Sequence, residues 1–171
     1  MKFSLIVCVD NNNVIGKGNE LIYHIKDDLL NFKRMTSDNV VIMGRKTYES
    51  LPKRPLPNRV NIIITRDLDY KVDNENVIVA HSVDEVISIC DERFSDKECF
   101  VIGGGQIYSE FLNLGLINKM CITRVFEYSD GDTYFPKIDE TEWKLYYSSS
   151  CQLDRNEDRT LFYDFKIYIK K

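Results

Sequence analysis

The chain opens on Phe3–Val9, a run broken only by Ser4, which predicts a strand buried on both faces as in a helix-covered parallel sheet. Val40–Met43, Arg59–Thr65, Val77–Ala80, Cys99–Ile102 and Lys119–Glu127 read as further short strands. Helical patterns lie between them. Lys26–Thr36 has helical spacing with acids in its first turn, and a short helix is expected after Gly44-Arg45-Lys46-Thr47, ending near Leu51. Ser82-Val83-Asp84-Glu85 has the form of a capping box and opens a helix expected to bury Val83, Val86, Ile87 and Cys90. Gly103-Gly104-Gly105 is a turn before a helix over Gln106–Leu112. Strands alternating with helices through the first 125 residues predict parallel pairing through crossovers. After the turn-rich Tyr128–Pro136 the pattern changes. Trp143–Cys151 and Thr160–Ile169 read as antiparallel strands, the second carrying Leu161, Tyr163, Phe165, Ile167 and Ile169 on one face. The fold class is therefore α/β: a single mixed, mostly parallel sheet flanked by helices and closed by a C-terminal antiparallel hairpin. Asp10–His24, with Asn11-Asn12-Asn13, Gly16 and Gly18 as breakers, is expected to be a long loop, and such loops in compact domains are usually functional.

Length and composition narrow the class. A chain of 171 residues suits one domain, expected to span 1–171, with a sizeable core. No apolar run approaches the roughly 20 residues of a membrane span, and the start lacks the cleavage site of a signal peptide. A cytoplasmic protein without membrane association is expected, and a monomer. Five cysteines, an odd number without a CxxC, predict five buried thiols. His24 and His81 have no ligand-spaced partner, so no metal is expected. The net charge of −4 argues against nucleic acid as a general partner. Its distribution says more. Between Gly44 and Arg66 lie Arg45, Lys46, Lys53, Arg54, Arg59 and Arg66 against one acid, Glu49; that stretch carries +5 and the remainder −9. Such a cluster is either a solvated basic face or an anion site on an otherwise acidic protein.

Three groups of residues could carry chemistry. Asp28, Phe32 and Met35 stand at i, i+4 and i+7 and share a helix face, with Leu29 at its border. An acid on an apolar stripe is costly unless paired; Asp28 is either a partly exposed structural acid or a carboxylate that grips a cationic or amidine-like ligand. Gly44-Arg45-Lys46-Thr47, between strand and helix, offers backbone N–H groups, a hydroxyl and two cations to a phosphate. Thr65-Arg66 repeats the pairing at the next strand end, which fits a ligand with two phosphate positions, such as NADPH. Gly103-Gly104-Gly105 is not the Rossmann fingerprint, since Tyr108 stands where its third glycine would fall. It is a tight structural turn or a place of close ligand approach.

The order of these elements resembles the dihydrofolate reductase family over nearly the whole chain. The resemblance lies in Ser4-Leu5-Ile6-Val7, Val14-Ile15-Gly16, Asp28 through Lys33, Val41 through Leu51, Arg54 through Arg59, Val101 through Tyr108 and Gly131 through Pro136. It implies NADPH as cofactor, dihydrofolate as substrate and folate analogues as inhibitors. Asp28 matches the active-site acid that meets the 2-amino group and N3 of the pterin, and Thr123 the threonine that braces it. Arg59 matches the grip on the substrate's α-carboxylate, while Ile6, Leu29, Phe32, Leu51 and Ile102 match the pterin and benzoyl pocket. Gly44, Arg45, Lys46, Thr47, Thr65 and Arg66 fall on the cofactor's phosphate contacts. Gly103, Gly104, Gly105, Gln106 and Ile107 fall on the turn around its pyrophosphate and nicotinamide ribose, with a cis peptide implied between Gly103 and Gly104. Val7, Cys8, Ile15, Gly16 and Tyr108 match the surroundings of the nicotinamide, Leu21 the tip of a mobile lid, and His81 the adenine edge. Ile22-Tyr23 departs from the family's usual Pro-Trp in that lid.

The implied reaction is hydride transfer from NADPH to pterin C6, supplying tetrahydrofolate for one-carbon metabolism and for thymidylate and purine synthesis. Two rivals stand beside it: the related reductase domain of riboflavin biosynthesis, and a non-catalytic nucleotide-binding protein on the same scaffold. Asp28 and Arg59 suit an aminopterin with a glutamate tail and argue against the first. Loss of the acid or the lid would favour the second, and Asp28 is present.

Overall fold

The computed structural model describes residues 3–155 and 159–171; Met1 and Lys2, part of the start read above, lie outside them. In chain order the elements are β1 (Phe3–Asp10), β2 (Val14–Lys17), β3 (Glu20–Leu21), α1 (Lys26–Thr36), β4 (Val40–Gly44), α2 (Arg45–Ser50), β5 (Val60–Ile64), β6 (Val77–Ala80), α3 (Val83–Arg93), β7 (Cys99–Gly103), α4 (Gly105–Asn113), β8 (Ile117–Val125), β9 (Thr133–Tyr134), β10 (Trp143–Ser148), β11 (Gln152–Arg155) and β12 (Thr160–Lys170). The main sheet runs β10-β12-β8-β1-β7-β4-β5-β6. From β8 to β6 every pairing is parallel, while β12 runs antiparallel to β8, β10 and β11. This is the mostly parallel sheet with an antiparallel close that the hydrophobic pattern predicts.

Burial explains the apolar runs. Leu5, Val9, Val40, Val41, Ile42, Met43, Ile62 and Ile63 are fully buried, because helices or loops cover both faces of the central strands. One face carries Val7, Val9, Val40, Ile42, Ile62 and Val101 against α3 and α4, where Val86 and Phe111 are also fully buried. The other carries Ile6, Val41, Met43, Ile63, Phe100 and Cys121. At about 1.5–3 kcal/mol per buried large apolar side chain, these two layers are the main favourable term of the fold.

Helix ends follow local chemistry. Ser82 Oγ accepts from the Glu85 amide at 3.1 Å, so the cap forms as its spacing predicts. The return bond differs: Glu85 Oε2 accepts from the His81 amide at 2.7 Å, one residue before the cap. α2 and α4 have no side-chain cap, which leaves their first amides without partners inside the helix.

Three expectations need correction. Asp10–His24 is not structureless: β2 and β3 form a hairpin whose outer side pairs with β9, making a separate three-stranded sheet. Gly16 permits it, since a Cβ there would lie 2.7 Å from the Glu20 carbonyl oxygen. The strand expected over Trp143–Cys151 ends at Ser148, and the chain turns into a second short strand, β11. The cysteines are thiols, but not all are buried. Cys90, Cys99 and Cys121 are, Cys8 is partly open, and Cys151 is exposed because it falls in that turn.

Candidate active site

In a parallel sheet the carboxyl ends of all strands open on one edge, and this is where α/β proteins bind ligands. Here that edge gathers Cys8, Gly44, Thr65, His81 and Gly103, the ends of β1, β4, β5, β6 and β7. α1 lies on the face built by Ile6 and Phe100, and it presents Asp28 toward β8, where Thr123 Oγ1 donates a short hydrogen bond to Asp28 Oδ1. Thr123 pairs with Cys8 on one side and Phe165 on the other, so the sheet register fixes where the hydroxyl points. Burial pushes the Asp28 carboxyl above its ordinary value, and the Thr123 hydroxyl pulls part of the way back. Asp28 is thus an acid whose charge the fold disfavours, with one of its oxygens already ordered.

Arg59 is the second charged group on this face and is 93% removed from solvent. Its Nε donates to the Pro57 carbonyl at 2.8 Å and Nη1 to Thr36 Oγ1 at 3.0 Å. The Thr36 hydroxyl in turn donates to the Phe32 carbonyl at 2.8 Å, and the guanidinium stands 5.8 Å from the centre of the Phe32 ring. Burial lowers its pKa from the ordinary arginine value. Phe32, Leu51 and Ile102 pack against the apolar layer that holds Ile6, and all four are part of one cluster. Leu29, at the border of that face of α1, is 44% exposed and stands outside the packed layer.

The second half of the edge is basic and lined by glycine. The Gly103–Gly104 peptide is cis, as the resemblance implies. Gly103 has φ +148°, and a Cβ on Gly104 would meet Thr47 Oγ1 at 3.2 Å, so α2 and the β7–α4 turn approach as closely as glycine allows. The uncapped start of α4 turns the amides of Gly105, Gln106 and Ile107 outward at this point. Lys46 and Arg66 are exposed, and Arg45 is held by Glu49 at 3.8 Å and by the Tyr70 ring at 5.8 Å. His81 Nδ1 lies 3.0 Å from the Thr65 carbonyl oxygen, which places the imidazole beside the Thr65-Arg66 pair. Orphaned amides, a threonine hydroxyl and three cations fit a ligand carrying several phosphates. Tyr108 is buried with its hydroxyl donating to the Ile6 carbonyl at 2.8 Å, which ties α4 to β1 between the two halves.

A network that the sequence did not point to closes the site's rim. Asp10 is fully buried, and Oδ1 accepts from the amides of Asn12 and Val14, each at 2.9 Å. Oδ2 accepts from the Ser129 amide at 2.7 Å and the Tyr23 hydroxyl at 3.2 Å. Tyr23 also lies 2.5 Å from Ser129 Oγ, with Arg159 over its ring at 5.2 Å. The β2–β3 hairpin beyond is fastened by Asp132, whose amide donates to the Gly16 carbonyl and whose Oδ2 accepts from the Gly18 amide. The one signal was an acid closing an otherwise apolar strand. Leu21, at the end of β3, is 48% exposed. Tyr23→Phe is expected to cost about 1–2 kcal/mol, because Asp10 then loses a donor in a buried setting. Urea unfolding measures this, and a cost of only a few tenths would mean the hydroxyl is incidental.

An apolar cleft with an acid and an arginine, beside a glycine-lined basic edge, defines an α/β enzyme that holds a flat polar ligand against a phosphate-bearing one. The dihydrofolate reductase family model matches residues 2–170. Among named relatives, a dihydrofolate reductase of Bacillus subtilis is 40% identical over 98% of this chain and 94% of its own length. That of Haemophilus influenzae is 37% identical, covering 90% of this chain and 91% of its own. A solved dihydrofolate reductase from Enterococcus faecalis, complexed with NADP(H) and RAB-propyl, superposes with a TM-score of 0.86 at 30% identity, covering 99% and 96% of the two chains. The chain belongs to the dihydrofolate reductase family, and it is an oxidoreductase.

Proposed function

We propose that this chain, acting as a single domain over 1–171, reduces 7,8-dihydrofolate to tetrahydrofolate with NADPH. The carrying observation is the pairing of a charge-disfavoured acid, Asp28, with a restrained arginine, Arg59, on one apolar face beside a cationic edge lined by glycine. NADPH is the cofactor; when bound it supplies the hydride, from nicotinamide C4 to pterin C6.

The chain's own residues bind, orient and exclude water. Asp28 accepts hydrogen bonds from the 2-amino group and N3 of the pterin, while Thr123 holds the carboxylate in one rotamer. Because burial favours the protonated or charge-paired state of Asp28, the site favours a pterin that carries the extra proton. Water brings that proton to N5. Arg59 keeps donors free beyond its bonds to Pro57 and Thr36 and holds the α-carboxylate of the glutamate tail. Ile6, Leu29, Phe32, Leu51 and Ile102 cover the ring and benzoyl group. Arg45, Lys46, Thr47, Thr65 and Arg66 receive the 2′-phosphate and pyrophosphate, and the Gly103–Ile107 turn receives the pyrophosphate and ribose. Val7, Cys8, Ile15, Gly16 and Tyr108 border the nicotinamide, His81 the adenine, and Leu21 closes the lid over both. Folate analogues compete at Asp28. Positioning of this kind is worth several kcal/mol of barrier without any covalent step.

Mixing the protein with NADPH and dihydrofolate should lower the near-ultraviolet absorbance of NADPH in proportion to the dihydrofolate added. No change would overturn the reading, and consumption with a ribosylated aminopyrimidine instead would transfer it to the riboflavin-type reductases. The product serves one-carbon transfer and thymidylate and purine synthesis in a cytoplasmic setting. No helix among the described residues is long and apolar enough to cross a membrane.

A further inference from the structure

α1 has a second working face. Asp27, Asn31 and Arg34 stand at i, i+4 and i+7, turned away from the Phe32 side and toward β10, β12 and the β10–β11 turn. Between them lies a cavity of about 580 Å³, walled by Tyr146, Tyr147, Tyr163, Phe165 and Ile167 and edged by Ser149 and Gln152. Ile6, Phe32, Leu51, Arg59 and Ile102 take no part in its lining; only Asp28 and Thr123 border it as well as the cleft. A volume of this size is within the usual range for small-molecule pockets.

Its chemistry is that of an aromatic slot with an acidic mouth. Tyr147 and Phe165 stand 6.5 Å apart between ring centres and are tilted to each other by 54°. Tyr146 and Tyr147 are 70% and 49% exposed, large aromatic surface left open to solvent on one edge strand. The cation at the mouth, Arg34, is turned back onto its own helix, with Nη2 donating to Asn31 Oδ1 at 2.8 Å. Among the described residues, the Asp27 side chain makes no hydrogen bond or ion pair that would neutralise it. Three carboxylates act on the Tyr163 phenol, which is pushed up first by burial and then by Asp27, Asp154 and Asp28.

We propose that this cavity is a second ligand site, adjoining the reductase cleft at Asp28 and Thr123, for a planar aromatic cation whose ring lies among Tyr147, Phe165 and Tyr163 and whose charged end meets Asp27. Aromatic walls attract the face of a ring and the edge of a cation alike, and a carboxylate at the mouth selects the charged ligand over its neutral isostere. A neutral aliphatic molecule gains neither. The site does not depend on the reaction assigned above, so its test uses binding rather than turnover.

The probes are benzamidine and benzamide, nearly equal in shape and different in charge. Each is titrated by NMR into the protein saturated with NADP+ and folate, so that the cleft is filled, and into the free protein. Benzamidine should shift resonances of Tyr147, Phe165 and Tyr163 with the cleft filled, and bind more tightly than benzamide. Asp27→Asn should weaken benzamidine by about three- to tenfold and leave benzamide unchanged. Tyr147→Ala should weaken both. Asp27 is exposed and Tyr147 half-exposed, so both variants are expected to fold, with thermal melting as the check. Displacement of benzamidine by folate would show that it binds at the cleft and overturn the proposal. Equal binding of the two probes, or indifference to both substitutions, would overturn it as well.

Discussion

Asp28→Asn is expected to lower turnover at neutral pH by roughly 10²–10⁴, the range for a group that assists proton transfer. Asparagine is nearly isosteric, and its amide oxygen still accepts from Thr123, so packing is preserved while the charge is lost. NADPH binding should be unchanged, because the residues proposed for its phosphates lie on α2 and after β5, not on α1. Activity should partly recover as pH falls, since solution then supplies more protonated substrate. A mutant with near wild-type rate at pH 7, or one whose rate is flat toward acid, would reduce Asp28 to a structural acid. Stability supplies an independent readout with a definite sign. The folded-state pKa of Asp28 is raised, so its contribution to stability is complete below the ordinary carboxylate pKa and is lost as pH rises through the raised value. At pH 7 the wild type carries a carboxylate whose charge burial disfavours. Asp28→Asn should therefore melt above wild type at pH 7, with the difference vanishing at pH 3. The proposed role of Asp28 and its cost to the fold are then read in two measurements of opposite direction.

Arg66→Ala is expected to weaken NADPH binding about ten- to a hundredfold and to leave NADH nearly unaffected, which makes it the larger effect on the cofactor side. A charge-assisted hydrogen bond contributes about 1.5–3 kcal/mol, and that range sets the ratio. Arg66 is exposed just after β5 and makes no ion pair among the described residues, so its loss removes little from the free protein. Arg45 is different, being held by Glu49 and the Tyr70 ring, and its replacement would also disturb α2. Fluorescence titration with both cofactors decides the matter. Equal losses for NADPH and NADH would place Arg66 away from the 2′-phosphate.

Periodicity and spacing were enough to place α1, β4, β6 and the Ser82 cap almost to the residue, because each is decided locally by apolar period or by a side chain that caps its own helix. The same holds for the glycine turn after β7 and for Asp28 as an acid out of place on an apolar stripe. What those residues do depends on strand order. The sequence does not say that β1 sits between β7 and β8 or that β4 lies on the other side of β7, and without those neighbours neither the Thr123 brace on Asp28 nor the approach of Gly44 to Gly104 exists. The Thr36–Arg59 bond joins residues 23 apart, and Asp10 collects donors from positions 12, 14, 23 and 129. Polar partners of this kind leave no period in the chain, since a buried carboxylate can be satisfied by any amide the fold delivers. The β2–β3–β9 sheet escaped notice for the same reason. Its strands are two to four residues long, too short to show alternation, and they are stabilised by pairing across more than a hundred residues. By itself, then, the sequence determined the α/β class, the positions of the long elements and the residue types available for chemistry, all of which follow from local hydrophobic period and backbone preference. Tertiary structure alone decided which of those residues meet, because long-range contact is set by the order in which strands pack to bury both faces of the sheet.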